Sequence, residues 1–245
     1  MNRPKMILFD YGGTLLYEPK FDLLRGERAV FRYIKENPQN VTPEQAHSHD
    51  KELFENADKC RAMGYECHEW PLLRCKYESL NITFQIPLEE VETVLWDNTS
   101  PGGKMPYISE LLEFLERSQI RTGVISNIGW SGNALARRIN RLLPENRFEF
   151  ILASSEYAVR KPNPLLFRIA LNKAGLSPEE VWYCGDSIQP DVFGAHGAGI
   201  FPVLYQGEFP EELERTLRAQ PPGEIDFPYL HIRDWREMIS VLEKC

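Results

Sequence analysis

The chain has 245 residues, 42% of them hydrophobic and 26% charged, which suits an ordinary globular protein with one sizeable domain or a core carrying an insertion. A formal net charge of −8 excludes a generally basic surface, so no nucleic-acid partner is expected. No apolar run reaches bilayer-spanning length and the first residues lead straight into a predicted strand, so neither a membrane span nor a signal peptide is expected.

Met6-Ile7-Leu8-Phe9 is a continuous apolar run, as in a strand buried on both faces, and it ends in Asp10. No convincing strand follows between residues 17 and about 100. Leu23, Val30, Phe31 and Ile34 recur at helical spacing, Thr42-Pro43-Glu44-Gln45 forms a capping box, and Leu88, Val91 and Leu95 mark a further helix. This stretch reads as an all-helical insertion directly after the first strand.

From about residue 101 strand-like and helix-like segments alternate, the pattern of βαβ units on a parallel sheet. Ile108, Leu111, Leu112 and Leu115 share one helical face; residues 122–126 read as a buried strand; Ser131 caps a helix carrying Leu135, Ile139 and Leu142. Residues 148–153 read as a strand. Pro164 opens a helix after Asn163, Gly175 stops it, and Ser177-Pro178-Glu179-Glu180 caps a short turn. Residues 181–184 form a strand ending in Gly185-Asp186, and a helix is predicted near residues 190–198. Strands over 202–205 and 229–232 and a final helix with Trp235, Ile239 and Leu242 complete the chain, with 207–223 as a surface excursion. Cys60, Cys67, Cys75, Cys184 and Cys245 are odd in number and irregularly spaced, which fits free thiols in a cytoplasmic protein.

In an open parallel sheet, ligands bind beyond the carboxyl ends of the strands. Asp10, Ser126-Asn127, the Arg160-Lys161 loop and the pair Asp186 and Asp191 fall at such ends. Taken singly, each has an ordinary reading: a turn aspartate, a helix cap, a solvated loop charge, a first-turn acid favoured by the helix dipole.

Taken in order, Asp10-x-x-x-Thr14, Ser126-Asn127, Lys161-Pro162 and Gly185-Asp186-x-x-x-x-Asp191 resemble the four motifs of the haloacid dehalogenase-like hydrolase superfamily. The resemblance spans nearly the whole chain. It implies an α/β fold, a three-layer Rossmann-like parallel sheet core over residues 1–16 and 101–245, with an all-helical cap over 17–100 inserted after the first strand. It further implies that Asp10 is a nucleophile forming an aspartyl-phosphate. Mg²⁺ would be held by Asp10, the backbone carbonyl of Gly12 and Asp186, with Asp191 completing or orienting the shell. Ser126, the amide of Asn127 and Lys161 would meet the phosphate of a small phosphorylated metabolite, and Thr14 would support the loop and donate to the phosphate. The oligomeric state is left open.

One position departs from the family's phosphatases, which carry a second aspartate where this chain has Gly12. That aspartate protonates the leaving alkoxide and then activates water, help worth roughly 10²–10⁴-fold in rate. Three readings follow: a phosphohydrolase with a good leaving group or a proton donor from the cap; a dehalogenase- or phosphonatase-type hydrolase using the same aspartate; a non-catalytic phosphate-binding module. Dehalogenases carry tyrosine at the position of Gly12, whereas the tyrosine here is Tyr11, and they lose the aspartate matching Asp186. A phosphonatase needs a cap lysine, for which Lys51, Lys59 and Lys76 are available.

Further features have bland readings. His47, His49, Cys60, Cys67, His68 and Cys75 match no common zinc spacing and read as scattered residues of the insertion. Trp130 suits core packing or the substrate. Arg25, Arg28 and Arg32 read as a solvated helix face, against a role in binding an anionic substrate tail.

Overall fold

A computed structural model describes residues 2–208 and 225–245. Its first strand, β1 (Met6–Phe9), is the buried apolar run, and its side chains alternate between the two faces of a sheet. Ile7 and Phe9 enter one core, Met6 and Leu8 the other.

β2 (Leu16–Tyr17) leads into the insertion: α1 (Leu23–Val30), β3 (Ile34–Glu36), α2 (Pro43–Ser48), α3 (Asp50–Ala62), α4 (Glu69–Ser79), β4 (Thr83–Phe84) and α5 (Leu88–Thr99). β5 (Gly103–Lys104) returns to pair antiparallel with β2. Then come α6 (Ile108–Arg117), β6 (Arg121–Ser126), α7 (Gly132–Leu142), β7 (Phe148–Ala153), α8 (Pro164–Ala174), β8 (Val181–Gly185), α9 (Gly194–Gly197), β9 (Phe201–Tyr205), β10 (Leu230–Ile232) and α10 (Trp235–Leu242).

Six strands form one sheet in the order β10-β9-β8-β1-β6-β7, with every pairing parallel. α6, α7 and α10 send Leu111, Leu135 and Trp235 into the core that holds Phe9. α8 and α9 send Phe167 and Ala195 into the core that holds Leu8. The three-layer expectation is met. Successive crossovers from β1 run outward to β7 and then return to β8 on the other side, so β1 and β8 flank the switch in strand order.

The local signals read from sequence are present. Ser131 accepts from Ala134 N–H, Asn163 from Leu165 N–H, Thr42 and Ser177 form capping boxes, and Gly175 ends α8 at φ 64°. The insertion needs a correction, because it is not purely helical: β3 and β4 pair antiparallel. α1 stops at Val30, and Ile34, expected on its apolar face, is extended and pairs with Phe84. The helical spacing continued past the helix because both elements bury the same side. The expected excursion at 207–223 lies mostly outside the described residues.

Within the insertion α1 packs closely on α5. A Cβ on Gly26 would lie 2.6 Å from Leu95 O, so glycine permits this approach. Lys76 is buried there between Glu27 and Asp50, at 2.6 and 2.7 Å.

Candidate active site

Asp10 follows β1 and donates its backbone N–H to Cys184 O at 2.8 Å, which ties the strand tip to β8. Phe9 is level with both Val124 and Cys184, so Asp10, Ser126 and Asp186 emerge at adjacent strand tips. Asp191 returns to them on a π-helical turn, Ile188–Phe193. A cavity of about 410 Å³ opens here, and Asp10, Gly12, Ser126, Asn127, Lys161, Asp186 and Asp191 all line it. The structure therefore brings together seven of the eight residues singled out in the sequence. Thr14 is placed differently: it is fully buried, its hydroxyl has no hydrogen-bond partner among the described residues, and it does not line the cavity.

Charge dominates the site. Asp10, Asp186 and Asp191 each present a carboxylate oxygen, all within 4.8 Å of one another. Lys161 Nζ donates to Asp10 Oδ1, Asp191 Oδ1 and the Tyr183 hydroxyl, each at 2.6 Å. Asp191 Oδ2 accepts from Ser187 N–H at 3.0 Å. Burial pushes the Asp10 pKa up to about 6, against the pull of Lys161 and with a further push from Asp191. Burial, with Asp10 and Asp191 beside it, pushes Asp186 up to about 8. Burial works against the Lys161 charge, but Asp10 and Asp191 outweigh it and hold its pKa above the ordinary value. One ammonium does not balance three carboxylates. Three hard oxygen donors in this space suit a hard divalent cation.

Tyr183 carried no signal in the sequence, since it reads as a strand residue. Its hydroxyl accepts from Lys161 and lies 3.1 Å from both Ile125 O and Asp191 Oδ1, so its one proton serves either. Glu18 was likewise missed. It lines the cavity from the start of the insertion and accepts from the Tyr11 hydroxyl at 2.7 Å and Trp96 Nε1 at 3.1 Å, with Arg138 Nε at 3.3 Å. Arg138 is itself buried, donates to Ser100 O, and lies over the Trp96 ring.

The insertion closes over the sheet tips through another missed residue, Glu66. Its Oε1 accepts from Arg61 Nε at 2.9 Å, and its Oε2 accepts from Ser154 Oγ at 2.8 Å. Main-chain bonds reinforce the contact: Glu66 N donates to Ala158 O, Arg160 N to Gly64 O and Glu69 N to Gly129 O. Between these parts lies a second chamber of about 600 Å³, lined by Arg61, Glu69 and Gly129. It shares Phe21, Asn127, Ile128, Trp130 and Arg160 with the first, which sets the two side by side.

The remaining features have ordinary surroundings. Lys51 and Lys59 are exposed, and with the buried Lys76 they line neither chamber. Arg25 donates to Asn98 O and Thr99 O, and Arg28 pairs with Glu44. Arg25, Arg28 and Arg32 line neither chamber. His47 bonds Asp50, and His68 accepts from Trp70 N–H at the start of α4. Trp130 is buried, stacks on Trp96 with centroids 5.1 Å apart and lines both chambers.

The family model described as haloacid dehalogenase-like hydrolase matches residues 79–204, just over half of the chain. The chain belongs to this family. Among curated relatives of this haloacid dehalogenase-like hydrolase, the glyceraldehyde 3-phosphate phosphatase of Pyrococcus furiosus is 26% identical over 100% of this chain and 95% of its own. The glyceraldehyde 3-phosphate phosphatase of Methanopyrus kandleri is 32% identical, over 44% of this chain and 43% of its own length. A solved structure titled 2-haloacid dehalogenase, from Pseudomonas syringae pv. Tomato DC3000, superposes with a TM-score of 0.63 at 19% identity, covering 98% of this chain and 99% of that one. That likeness is one of fold. Among the described residues no helix is long and apolar enough to cross a membrane.

Proposed function

We propose that this hydrolase is a Mg²⁺-dependent phosphohydrolase of a small phosphorylated metabolite, with residues 1–16 and 101–245 as its catalytic core and 17–100 as its cap. The observation that carries this reading is the meeting of Asp10, Asp186 and Asp191, two of which, Asp10 and Asp191, pair with the Lys161 ammonium. Such a group is deficient in positive charge, and a phosphoryl group adds further negative charge. The names of the curated phosphatases support the same chemistry.

Asp10, Asp186, Asp191 and the backbone carbonyl of Gly12 would hold the ion, which supplies positive charge to the phosphoryl oxygens. Lys161 engages Asp10 Oδ1 and leaves Oδ2 to attack phosphorus. The P–O bond to the leaving group breaks as the Asp10–phosphorus bond forms; water then cleaves the acyl-phosphate, returning the carboxylate and releasing phosphate. Ser126 and the backbone amide of Asn127 donate to the phosphate oxygens, while Lys161 offsets the charge gathered between nucleophile and phosphoryl group. Thr14 supports the loop from inside it. Gly12 offers the leaving group no proton, so stabilised leaving groups are favoured.

The test is phosphate release from acetyl phosphate, p-nitrophenyl phosphate and phosphonoacetaldehyde, and halide release from a 2-haloacid, each with and without Mg²⁺. The expected result is phosphate release from the first two, abolished by chelator and by Asp10→Asn. Halide release that persists in chelator overturns the reading, and so does near-native turnover by Asp10→Asn.

A further inference from the structure

The second chamber holds a carboxylate without a partner. Glu69 is 4% exposed, yet among the described residues its side chain makes no hydrogen bond and no ion pair. It faces the chamber, and its Oε2 lies 3.4 Å from where a Cβ on Gly129 would stand, directly above the loop that begins at Ser126. Arg61 Nη2 crosses the same spot, 2.8 Å from that point. Arg61 spends Nε on Glu66 and Nη1 on Asp58, and among the described residues Nη2 has no acceptor. Arg160 lines both chambers, and among the described residues its side chain has only Glu66, at 3.6 Å.

A buried carboxylate left unpaired is costly unless something else supplies the hydrogen bonds. Here one acceptor group and two under-used donor groups surround a space that also presents the faces of Phe21 and Trp130. A hydroxyl satisfies both sides, donating to Glu69 and accepting from an arginine. A carboxylate would meet Glu69 as a like charge. Two guanidinium groups beside Glu69 disfavour a cation there, while burial pushes the Glu69 pKa up to about 7, against Arg61.

We propose that Glu69, with Arg61 and Arg160, forms the specificity site for the part of the substrate beyond the phosphate, and that this part is a polyhydroxylated group, a sugar or polyol. The inference rests on the phosphohydrolase reading for the placement of the phosphate. It goes further by naming the residues that choose the substrate and the chemistry that they accept.

The test is calorimetric binding to the Asp10→Asn protein in Mg²⁺. The probes are ribose 1-phosphate, methyl phosphate, 2-phosphoglycolate and phosphoethanolamine. Ribose 1-phosphate is chosen because its anomeric oxygen leaves more readily than a simple alkoxide. It is expected to bind about 10-fold or more tighter than methyl phosphate, the worth of hydrogen bonds to charged groups. Adding Glu69→Leu should remove that preference, and Glu69→Gln, which keeps an acceptor oxygen, should retain most of it. In the enzyme with Asp10 intact, Glu69→Leu should lower the ratio of kcat/KM for ribose 1-phosphate to that for acetyl phosphate by a similar factor, through KM. Equal binding of ribose 1-phosphate and methyl phosphate overturns the proposal. Tighter binding of 2-phosphoglycolate or phosphoethanolamine does so too, by assigning the chamber an anion or a cation. A binding preference for ribose 1-phosphate in a protein that releases phosphate from nothing supports this proposal while sinking the hydrolase reading.

Discussion

The side-chain amide of Asn127 holds both ends of Lys161: its Oδ1 accepts from Lys161 N–H at 2.7 Å, and its Nδ2 donates to Lys161 O at 2.9 Å. The residue after Ser126 thereby fixes the backbone that aims the site's one ammonium. Asn127→Ala should lower kcat by on the order of 10²-fold, the scale of a 1 Å misplacement. Steady-state kinetics alongside a thermal melt check this; a fall in melting temperature with kcat preserved would make Asn127 a stabilising residue only.

Metal-free stability should fall as pH rises. Asp186 and Asp10 have folded pKa values raised to about 8 and about 6. The folded protein therefore binds more protons than the unfolded chain from about pH 4 to pH 8. Unfolding free energy decreases across that window, because ionising these groups in place is unfavourable. In chelator the denaturation midpoint should be higher at pH 5.5 than at pH 8. Mg²⁺ should restore the loss at pH 8, and Asp186→Asn should lessen both the loss and the Mg²⁺ response. A midpoint that climbs between these pH values in chelator would contradict the assigned electrostatics.

Gly12→Asp should fold. Gly12 lies outside the left-handed region, and a Cβ built on it meets nothing within 4 Å. The added carboxyl supplies a proton to the leaving group, so kcat/KM should rise on alkyl phosphates by up to about 10²-fold, with little gain on acetyl phosphate. Ordinary wild-type rates on alkyl phosphates would show that another group already provides the proton, and a gain of equal size on both would show that the aspartate acts on a step other than leaving-group departure.

Lys76 should prove structural. Lys76→Met leaves Glu27 and Asp50 buried and facing each other, a loss of about 3–5 kcal/mol for removing one partner of a buried ion pair. Borohydride treatment with phosphonoacetaldehyde should leave Lys76 unmodified by mass spectrometry. A trapped adduct there would revive the phosphonatase alternative.

Gly26→Ala should cost about 1–3 kcal/mol, because its methyl group forces α1 from α5. Chemical denaturation reads this directly, and a cost near zero would mean that the two helices adjust freely.

What was legible in the sequence was local or carried by order. Ser131, Asn163 and Gly175 announce helix ends through contacts a few residues away, and the acidic residues at strand tips follow from βαβ punctuation. The partners of Glu66 and the setting of Glu69 were not legible: Ser154 is 88 residues from Glu66, and neither glutamate stands out in a segment rich in charge. Thr14 went astray for the opposite reason. It fits the motif's spacing, but spacing does not say which way a loop residue turns. β3 and β4 are three and two residues long, too short to show an alternation.

The stack of Trp96 on Trp130, 5.1 Å between centroids and 10° from parallel, joins α5 of the insertion to the loop after β6. Two indoles so close couple their electronic transitions, and the coupling vanishes once they part. The protein thus carries an optical report of this contact, readable in the far-ultraviolet circular dichroism without a label. Any event that parts α5 from the loop after β6 must extinguish that signal.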